Sequence, residues 1–585
     1  MSLSLFESTQ SGFQWVADRV WKVEHAFERA NATGAKARSA RMRIFILLVG
    51  LVVGFVCLAG FATRGALSGD KSRGPSLTVE PNARAQLVDR NGRLLATDVD
   101  DYNLFVNPGN MTAQDRGLVE AALTRLFPDV NHDQIARIFR GRSRMLLTSN
   151  IQEDDRQRIL SYGLPGVSFE AHRVRNYPLG STGSAYIGMT MRGGGGMSGA
   201  EKALNSQISA QAVRDQPVTL AMDLRVQGAL ENELRAGGVD QRALSGVGIV
   251  TNVRTGEILA LASWPDFDLN RPAAFSDQQR RNHASVDRFE VGSIFKVISI
   301  GVGLDTGVAT MNSVYDARQP LVIGTRKIHD DHMSTTLMTL EDVFIHSSNI
   351  GTSKIALAVG AARMTQYYKA LGLFHAADSE FVEPAPPILP RRWTDNDLAS
   401  SAFGQAMAVT PLSYVEAADA VLNGGYLRPL TIHKYDGTSP LGGTRVFSPT
   451  TTRTMLDLMR DNVVKGSGTR ANVPGLRVGG KTGTAQKPVN GRYTSDDISS
   501  FAAVFPTDGP VDSDRYMVLI LYDSPQGSPN SNGSRLAAYV AAPVAGHVIE
   551  RIAPFLGVNR VEDKFSDPLW DKAPVRVEDT TGANE

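Results

Sequence analysis

Residues 44–62 form an unbroken apolar run: nineteen residues without a charge, thirteen of them Leu, Ile, Val or Phe. At helical rise the run spans about 28 Å, close to the hydrocarbon thickness of a bilayer. Its large side chains together favour insertion by about 4–8 kcal/mol. A buried core helix normally shows a polar stripe, and this run has none. A cleaved signal peptide fits less well: the charged region ahead of the run is long, and only Gly60-Phe61-Ala62 resembles a cleavage signal. The sequence therefore predicts a single transmembrane helix over 44–63. Lys36, Arg38, Arg41 and Arg43 crowd its amino side, while the charges from Arg64 onward are sparser and of mixed sign. That asymmetry places 1–43 in the cytoplasm and the bulk of the chain outside it. Within 1–43, Phe13, Val16, Val20 and Phe27 recur at near-helical spacing. The pattern suits a partner-binding or membrane-surface helix, and equally an amphipathic helix with no specific role.

Lys+Arg 61 against Asp+Glu 60 leaves a net charge of +1, which argues against a nucleic-acid partner held by phosphate neutralisation. Cys57 is the one cysteine, so internal disulfides and Cys-ligated zinc are excluded. A length of 585 residues accommodates several domains. Residues 64–82, rich in Gly, Ser and Pro, form a linker. Residues 83–222 are a non-catalytic α+β module, with short strands at 86–89 and 94–97 around the tight-turn signal Asn91-Gly92 and helices at 115–125 and 133–140. Residues 223–557 form one larger domain and 558–585 a tail. In the larger domain, 246–252 and 257–263 are a hairpin around Arg254-Thr255-Gly256. Residues 293–305 are a buried helix. Thr410-Pro411 and Ser448-Pro449 open two more helices, closed near Asn423-Gly424-Gly425 and Gly466. Strands at 476–482, 500–505 and 516–523 precede a last helix at 535–552. The fold class is α/β and multi-domain, its main sheet covered by helices on both faces.

Chemistry concentrates in three places. Ser293-Ile294-Phe295-Lys296 sets an amine one helical turn past a hydroxyl. Serine is a weak nucleophile until a neighbour takes its proton, and lysine does so only when neutral. From a reference pKa of about 10.4 it must fall by about three units, near 4 kcal/mol. Apolar Ile294, Phe295, Val297 and Ile298 supply desolvation, and a second cation nearby would add repulsion. Alone the pattern is weak, and the linker carries a decoy in Ser68-Gly69-Asp70-Lys71. Ser347-Ser348-Asn349 adds a second hydroxyl and an amide. Lys481-Thr482-Gly483-Thr484 ends a predicted strand behind Gly479-Gly480, where another backbone can approach and a carboxylate can meet Lys481 and the threonine hydroxyls. His329-Asp330-Asp331-His332 has a metal-ligand flavour but reads as a polar loop, and Met455 and Met459 as core.

S-x-x-K, S-x-N and K-T-G in that order are the motif set of penicillin-binding proteins and serine β-lactamases. Over about 80–550 the chain resembles the class B penicillin-binding proteins, most closely the division-specific transpeptidases of the FtsI type. Further matching stretches are Asp89-Arg90-Asn91-Gly92, Tyr177-Pro178-Leu179-Gly180, Gly199-Ala200-Glu201-Lys202, Thr255-Gly256-Glu257-Ile258-Leu259-Ala260 and Val409-Thr410-Pro411-Leu412. Departures are Val291 for a usual proline, and Ala406 and Ala85 for usual glycines. The resemblance implies that 83–222 is a pedestal, or dimerisation-type, module ahead of a transpeptidase domain with an antiparallel sheet.

The implied activity is peptidoglycan cross-linking by a membrane-anchored D,D-transpeptidase. Ser293 attacks the carbonyl between the terminal D-alanines of a stem peptide and Lys296 takes its proton. Backbone N–H groups of Ser293 and Thr484 form the oxyanion hole. Ser347 with Lys481 protonates the leaving D-alanine, and Asn349 holds the acyl peptide amide. Thr482, Gly483 and Thr484 line the substrate strand. No metal or cofactor is implied. β-Lactams acylate Ser293 as inhibitors. The implied partners are a polytopic lipid-II glycosyltransferase and other division-complex membrane proteins, at the septum, with the catalytic part in the periplasm. Three other readings compete. A cell-elongation transpeptidase shares all these features. A β-lactamase or carboxypeptidase usually lacks a pedestal. A β-lactam sensor usually adds an intracellular effector, often bearing H-E-x-x-H, which does not occur in this sequence, and a pure scaffold would not require all three motifs intact.

Overall fold

The computed structural model describes residues 83–561, apart from 192, 193, 332, 382, 490 and 491, together with 21, 22, 25, 49–56, 58 and 59. The chain divides into two units, Met1–Thr78 and Val79–Glu585. The anticipated cytoplasmic helix lies largely outside the described residues; the linker from 64 to 82, the tail beyond 561 and much of the apolar run lie outside them altogether. In the first unit, 49–56, 58 and 59 are helical, and Leu51, Phe55 and Leu58 stand 69%, 72% and 71% exposed. No helix among the described residues is long and apolar enough to cross a membrane.

In the second unit, Asn91-Gly92 makes the turn its sequence dictates. Gly92 takes φ +80°, and Asp89 Oδ1 accepts from the Asn91 and Arg93 N–H groups at 2.8 Å each. The turn joins β1 (Leu87–Val88) to β2 (Leu94–Val106). β2 is much longer than the expected 94–97. The acidic, partly exposed stretch after Thr97 conceals the strand pattern, yet it pairs with both β3 (Met145–Ile151) and β4 (Val167–Asn176). Helices α1 (Ala113–Leu126) and α2 (His132–Arg140) pack Val119, Leu123, Ile135 and Ile138 against Leu104, Val106 and Leu147. A short β5 (Val218–Thr219) runs parallel to β1 and leads into the next sheet. The buried Glu201 carboxylate is held by Arg84 Nε at 3.0 Å and Arg175 Nε at 2.7 Å, the pairing that burial of a charge requires. The same turn docks onto α3 (Leu224–Asp240), whose first N–H, on Leu224, donates to Asp89 Oδ2 at 3.1 Å.

The larger sheet is built from β6 (Ser245–Asn252), β7 (Ile258–Trp264), β8 (Gly479–Val489), β9 (Arg492–Phe505) and β10 (Tyr516–Asp523). Its order is β8-β9-β10-β6-β7, antiparallel throughout. Every residue of β6 and β10 is buried, because both faces are covered. Alternate residues point to opposite sides. Val250, Val518 and Ile520 pack with Leu230 of α3 and Val548 of the last helix, Ala541–Ile552. Val247, Ile249 and Leu519 join the opposite core with Ile298, Val415 and Met455. Those three come from α4 (Lys296–Asp305), α6 (Pro411–Leu422) and α7 (Pro449–Lys465); α5 (Asn349–Val359) lies between α4 and α6 in the chain. The two Pro-opened helices start as expected: Thr410 Oγ1 accepts from Ser413 N at 3.1 Å and Ser448 Oγ from Thr451 N at 3.2 Å.

Other boundaries also differ from expectation. The strand expected at 476–482 starts at Gly479, because Gly475 and Arg477 adopt φ +77° and +48° and cannot continue a strand. β9 begins at Arg492 rather than 500; its outer half is polar and partly exposed, so it lacks an apolar signature. The last helix begins at Ala541 rather than 535, after a turn in which Ala537 N donates to Thr484 Oγ1 at 3.1 Å.

Ala406 stands where the resembling family has glycine, and its φ is +62°. A Cβ in that region costs roughly 1–2 kcal/mol, partly offset by the greater freedom of an unfolded glycine. Ala406→Gly is expected to stabilise the protein by about 0.5–1 kcal/mol, read as a rise in thermal midpoint of about 1–3 °C. An unchanged or lower midpoint would contradict the assignment of strain.

Candidate active site

Ser293 lies in a single 3-10 turn, Gly292–Phe295, that runs into α4, rather than in the regular helix expected over 293–305. Three close approaches fix this turn. Gly292 takes φ +64°, and a Cβ there would lie 2.9 Å from Ala485 Cβ. Gly404 passes so near that its Cβ would sit 2.1 Å from the Gly292 carbonyl oxygen. The Tyr414 hydroxyl donates to the Ile294 carbonyl at 3.0 Å. Ser293 is half-buried, whereas Lys296, one turn on, is completely buried.

The second motif is held by opposed caps. Thr339 closes a capping box over the helix Leu340–Ile345, and Ser348 Oγ accepts from Gly351 N at 2.9 Å to start α5. Between the two helices Ser347 adopts φ +59°, a strained position that persists only when its surroundings over-determine it. The third motif lies on β8, at the edge of the sheet. Gly483 lets this strand rest against the Ser293 turn: a Cβ would fall 2.6 Å from Ser500 Oγ and 2.9 Å from the Val291 carbonyl oxygen.

The three motifs therefore meet. Lys296 Nζ donates to the Ser347 carbonyl at 2.5 Å and to Asn349 Oδ1 at 2.8 Å, and lies 3.2 Å from Ser347 Oγ. Lys481 Nζ donates to the same Ser347 hydroxyl at 2.9 Å and to the Thr482 carbonyl at 3.0 Å. A neutral amine has two N–H groups and one lone pair. The two carbonyl-type acceptors at Lys296 take both N–H groups and leave the lone pair for a hydroxyl proton. Thr482 Oγ1 lies 2.7 Å from Ser467 Oγ, and Thr484 Oγ1 is engaged by Ala537 N. Asn349, expected to hold the acyl peptide amide, uses one lone pair of Oδ1 for Lys296 and one N–H of Nδ2, which donates to the His329 carbonyl at 3.2 Å.

Both amines are buried, which disfavours the charged form. Burial lowers Lys296 from 10.5 to about 7, against the opposing pull of Asp330 and Asp331. Lys481 is held well below its ordinary value, by burial first and then by repulsion from Lys296. Burial is the leading cause at both amines, and the repulsion expected from a second cation acts within the pair they form. Two supports had no motif to announce them. Asn462 on α7 donates from Nδ2 to the Gly480 carbonyl at 2.7 Å and accepts from Ser467 N at 3.1 Å, bracing β8 from behind. Asp330, in the polar loop, accepts from Ser348 Oγ at 2.6 Å. The one available signal for it was its place just ahead of Ser347-Ser348-Asn349.

Comparison with known proteins agrees with this geometry. Residues 246–546 match the penicillin-binding protein transpeptidase domain and 79–215 the penicillin-binding protein dimerisation domain. The chain is 46% identical over 562 residues to the "Probable peptidoglycan D,D-transpeptidase FtsI" of Caulobacter vibrioides, covering 94% of each. It is 29% identical to the peptidoglycan D,D-transpeptidase FtsI of Escherichia coli K12, over 80% of this chain and 82% of that one. A crystal structure of penicillin-binding protein 3 from Mycobacterium tuberculosis, complexed with aztreonam, superposes with a TM-score of 0.63 at 23% identity, over 82% of this chain and 98% of that one, a likeness of fold.

A Lys296 amine that titrates at about 7 and works only when neutral makes Ser293 more reactive as pH rises. The rate of Ser293 acylation by a fluorescent penicillin is expected to climb through neutral pH to a plateau. At pH 5 it should be about 100-fold below that plateau. A profile that stays flat from pH 5 to 9 would rule out Lys296 as the base.

Proposed function

Since the chain belongs to the class B penicillin-binding proteins, with a dimerisation domain ahead of a transpeptidase domain, we propose that Ser293 is the nucleophile of a division-specific peptidoglycan D,D-transpeptidase. The observation that carries this reading is the buried chain of contacts from Lys296 through the Ser347 hydroxyl to Lys481, which can move a proton on either side of an acyl transfer.

The Ser293 hydroxyl oxygen attacks the carbonyl carbon joining the last two D-alanines of a stem peptide, and its proton passes to neutral Lys296. The carbonyl oxygen becomes an oxyanion facing the backbone N–H groups of Ser293 and Thr484, an arrangement typically worth several kcal/mol of barrier. Collapse breaks the C–N bond. The departing amine of D-alanine takes a proton through Ser347 and Lys481, and the acyl group remains as an ester on Ser293. The amine of a neighbouring stem then attacks the ester, forms the new peptide bond, and Ser293 regains its proton. A strained β-lactam amide enters the same sequence, and its ester blocks the site. Lys481 with Thr482, Gly483 and Thr484 receives the substrate carboxylate along β8. Asn349 orients the Lys296 amine through Oδ1, and its remaining amide N–H and lone pair hold the acyl peptide amide.

The close match to an FtsI protein across nearly the whole of both chains favours the division role over cell elongation. The charge-free run at 44–62, its basic amino flank and the exposed Leu51, Phe55 and Leu58 support a single-pass anchor. On that reading 1–43 is cytoplasmic, 83–222 is the pedestal and 223–557 the periplasmic catalytic domain. A polytopic lipid-II glycosyltransferase supplies the glycan to be cross-linked.

The full chain in detergent is expected to take up a fluorescent penicillin stoichiometrically, and Ser293→Ala to take up none. A fluorescent fusion is expected to concentrate at mid-cell. Label retained by Ser293→Ala would overturn the nucleophile, and a fusion spread evenly along the cell would overturn the septal role.

A further inference from the structure

The loop before the second motif contributes a residue that the reaction scheme leaves without a task. Ile328 buries the end of the short strand Arg326–Ile328, and the next residues fold over the start of α5. Asp330 Oδ2 accepts from Ser348 Oγ at 2.6 Å and Asp330 Oδ1 from Ile350 N at 2.9 Å. One carboxylate thus grips the chain on either side of Asn349 and directly after the strained Ser347. The preceding residue joins in, since the His329 carbonyl accepts from Asn349 Nδ2.

We infer that Asp330 is a positioning residue for acyl transfer, holding Ser347 and Asn349 in the arrangement that presents the Lys296 lone pair to the reacting hydroxyl. The inference rests on the transpeptidase reading and deepens it. Ser348 is buried and already accepts from Gly351 N, so its hydroxyl proton needs the acceptor that Asp330 supplies. A left-handed serine relaxes once its neighbour is released, and Ser347 is the residue from which Lys296 takes its shortest contact. Asp330 also acts through its charge. The groups facing the Lys296 amine are Asp330 and Asp331 from this loop and Lys481 from β8. The two carboxylates hold the amine's proton affinity above what burial alone would give, and keep its titration near neutrality.

Two variants of the full chain in detergent separate position from charge. Asp330→Asn keeps one accepting oxygen, for Ile350 N–H, and loses the charge and the acceptor for the Ser348 hydroxyl; Asp330→Ala loses all three. The readout is the rate of Ser293 acylation by a fluorescent penicillin from pH 5 to 9, with the thermal midpoint as a check on folding. The plateau rate is expected to fall about 100-fold in Asp330→Ala, with part of the loss restored in Asp330→Asn through the retained Ile350 contact. In both variants the rising limb should move to lower pH, by about one unit, a change that simple loosening of the loop would not cause. A limb that stays at the wild-type pH in Asp330→Asn overturns the inference, and so does an Asp330→Ala plateau equal to wild type. Failure of the underlying reading looks different: wild type would acquire no label at Ser293.

Discussion

Two lysine amines buried against one serine hydroxyl are the constraint on which the rest of the site depends. Lys296 and Lys481 reach Ser347 Oγ from different elements, α4 and β8. Two ammonium groups in one dry cluster would repel each other and forgo hydration, so the protein keeps at least one of them neutral near pH 7. For Lys296, moving from 10.5 to about 7 corresponds to roughly 5 kcal/mol taken from the stability of its charged form. The fold sustains that cost because each amine retains carbonyl acceptors for its N–H groups.

Close backbone approach is the second requirement. The Ser293 turn is clasped between the Gly404 loop and β8, and neither neighbour leaves room for a Cβ at Gly292, Gly404 or Gly483. The sheet behind them is rigid because both its faces are covered. Asn462 and Ser467 fasten β8 to the end of α7. The smaller sheet joins the same framework through Asp89, which closes its own turn and receives Leu224 N at the head of α3.

The reacting groups were legible in the sequence because their spacing and order are rarely met by chance. Lys296, Ser347, Asn349 and Lys481 come into contact through the fold, and Ser293 sits on the turn that leads into Lys296. The central strands were legible too, since β6 and β10 are buried along their whole length and are apolar over most of it. The outer half of β9 and most of β2 were not, because exposed polar strands carry no hydrophobic period. Asp330 was hidden for a related reason: a carboxylate in a polar loop looks solvated until the chain it grips is placed beside it. That carboxylates lie beside Lys296 was hidden as well, since Asp330 and Asp331 approach it only through the fold, a matter of distance and not of order along the chain.

The left-handed backbone at Ser347 bears on which residues this position tolerates. Threonine carries the same hydroxyl and looks interchangeable by chemistry, yet its branched Cβ is a conformational outlier at such a φ. Glycine and asparagine suit the backbone but lack the hydroxyl that both amines reach. Serine is the smallest residue that combines a hydroxyl with tolerance of this geometry, so any route to altered drug susceptibility through this position is narrow.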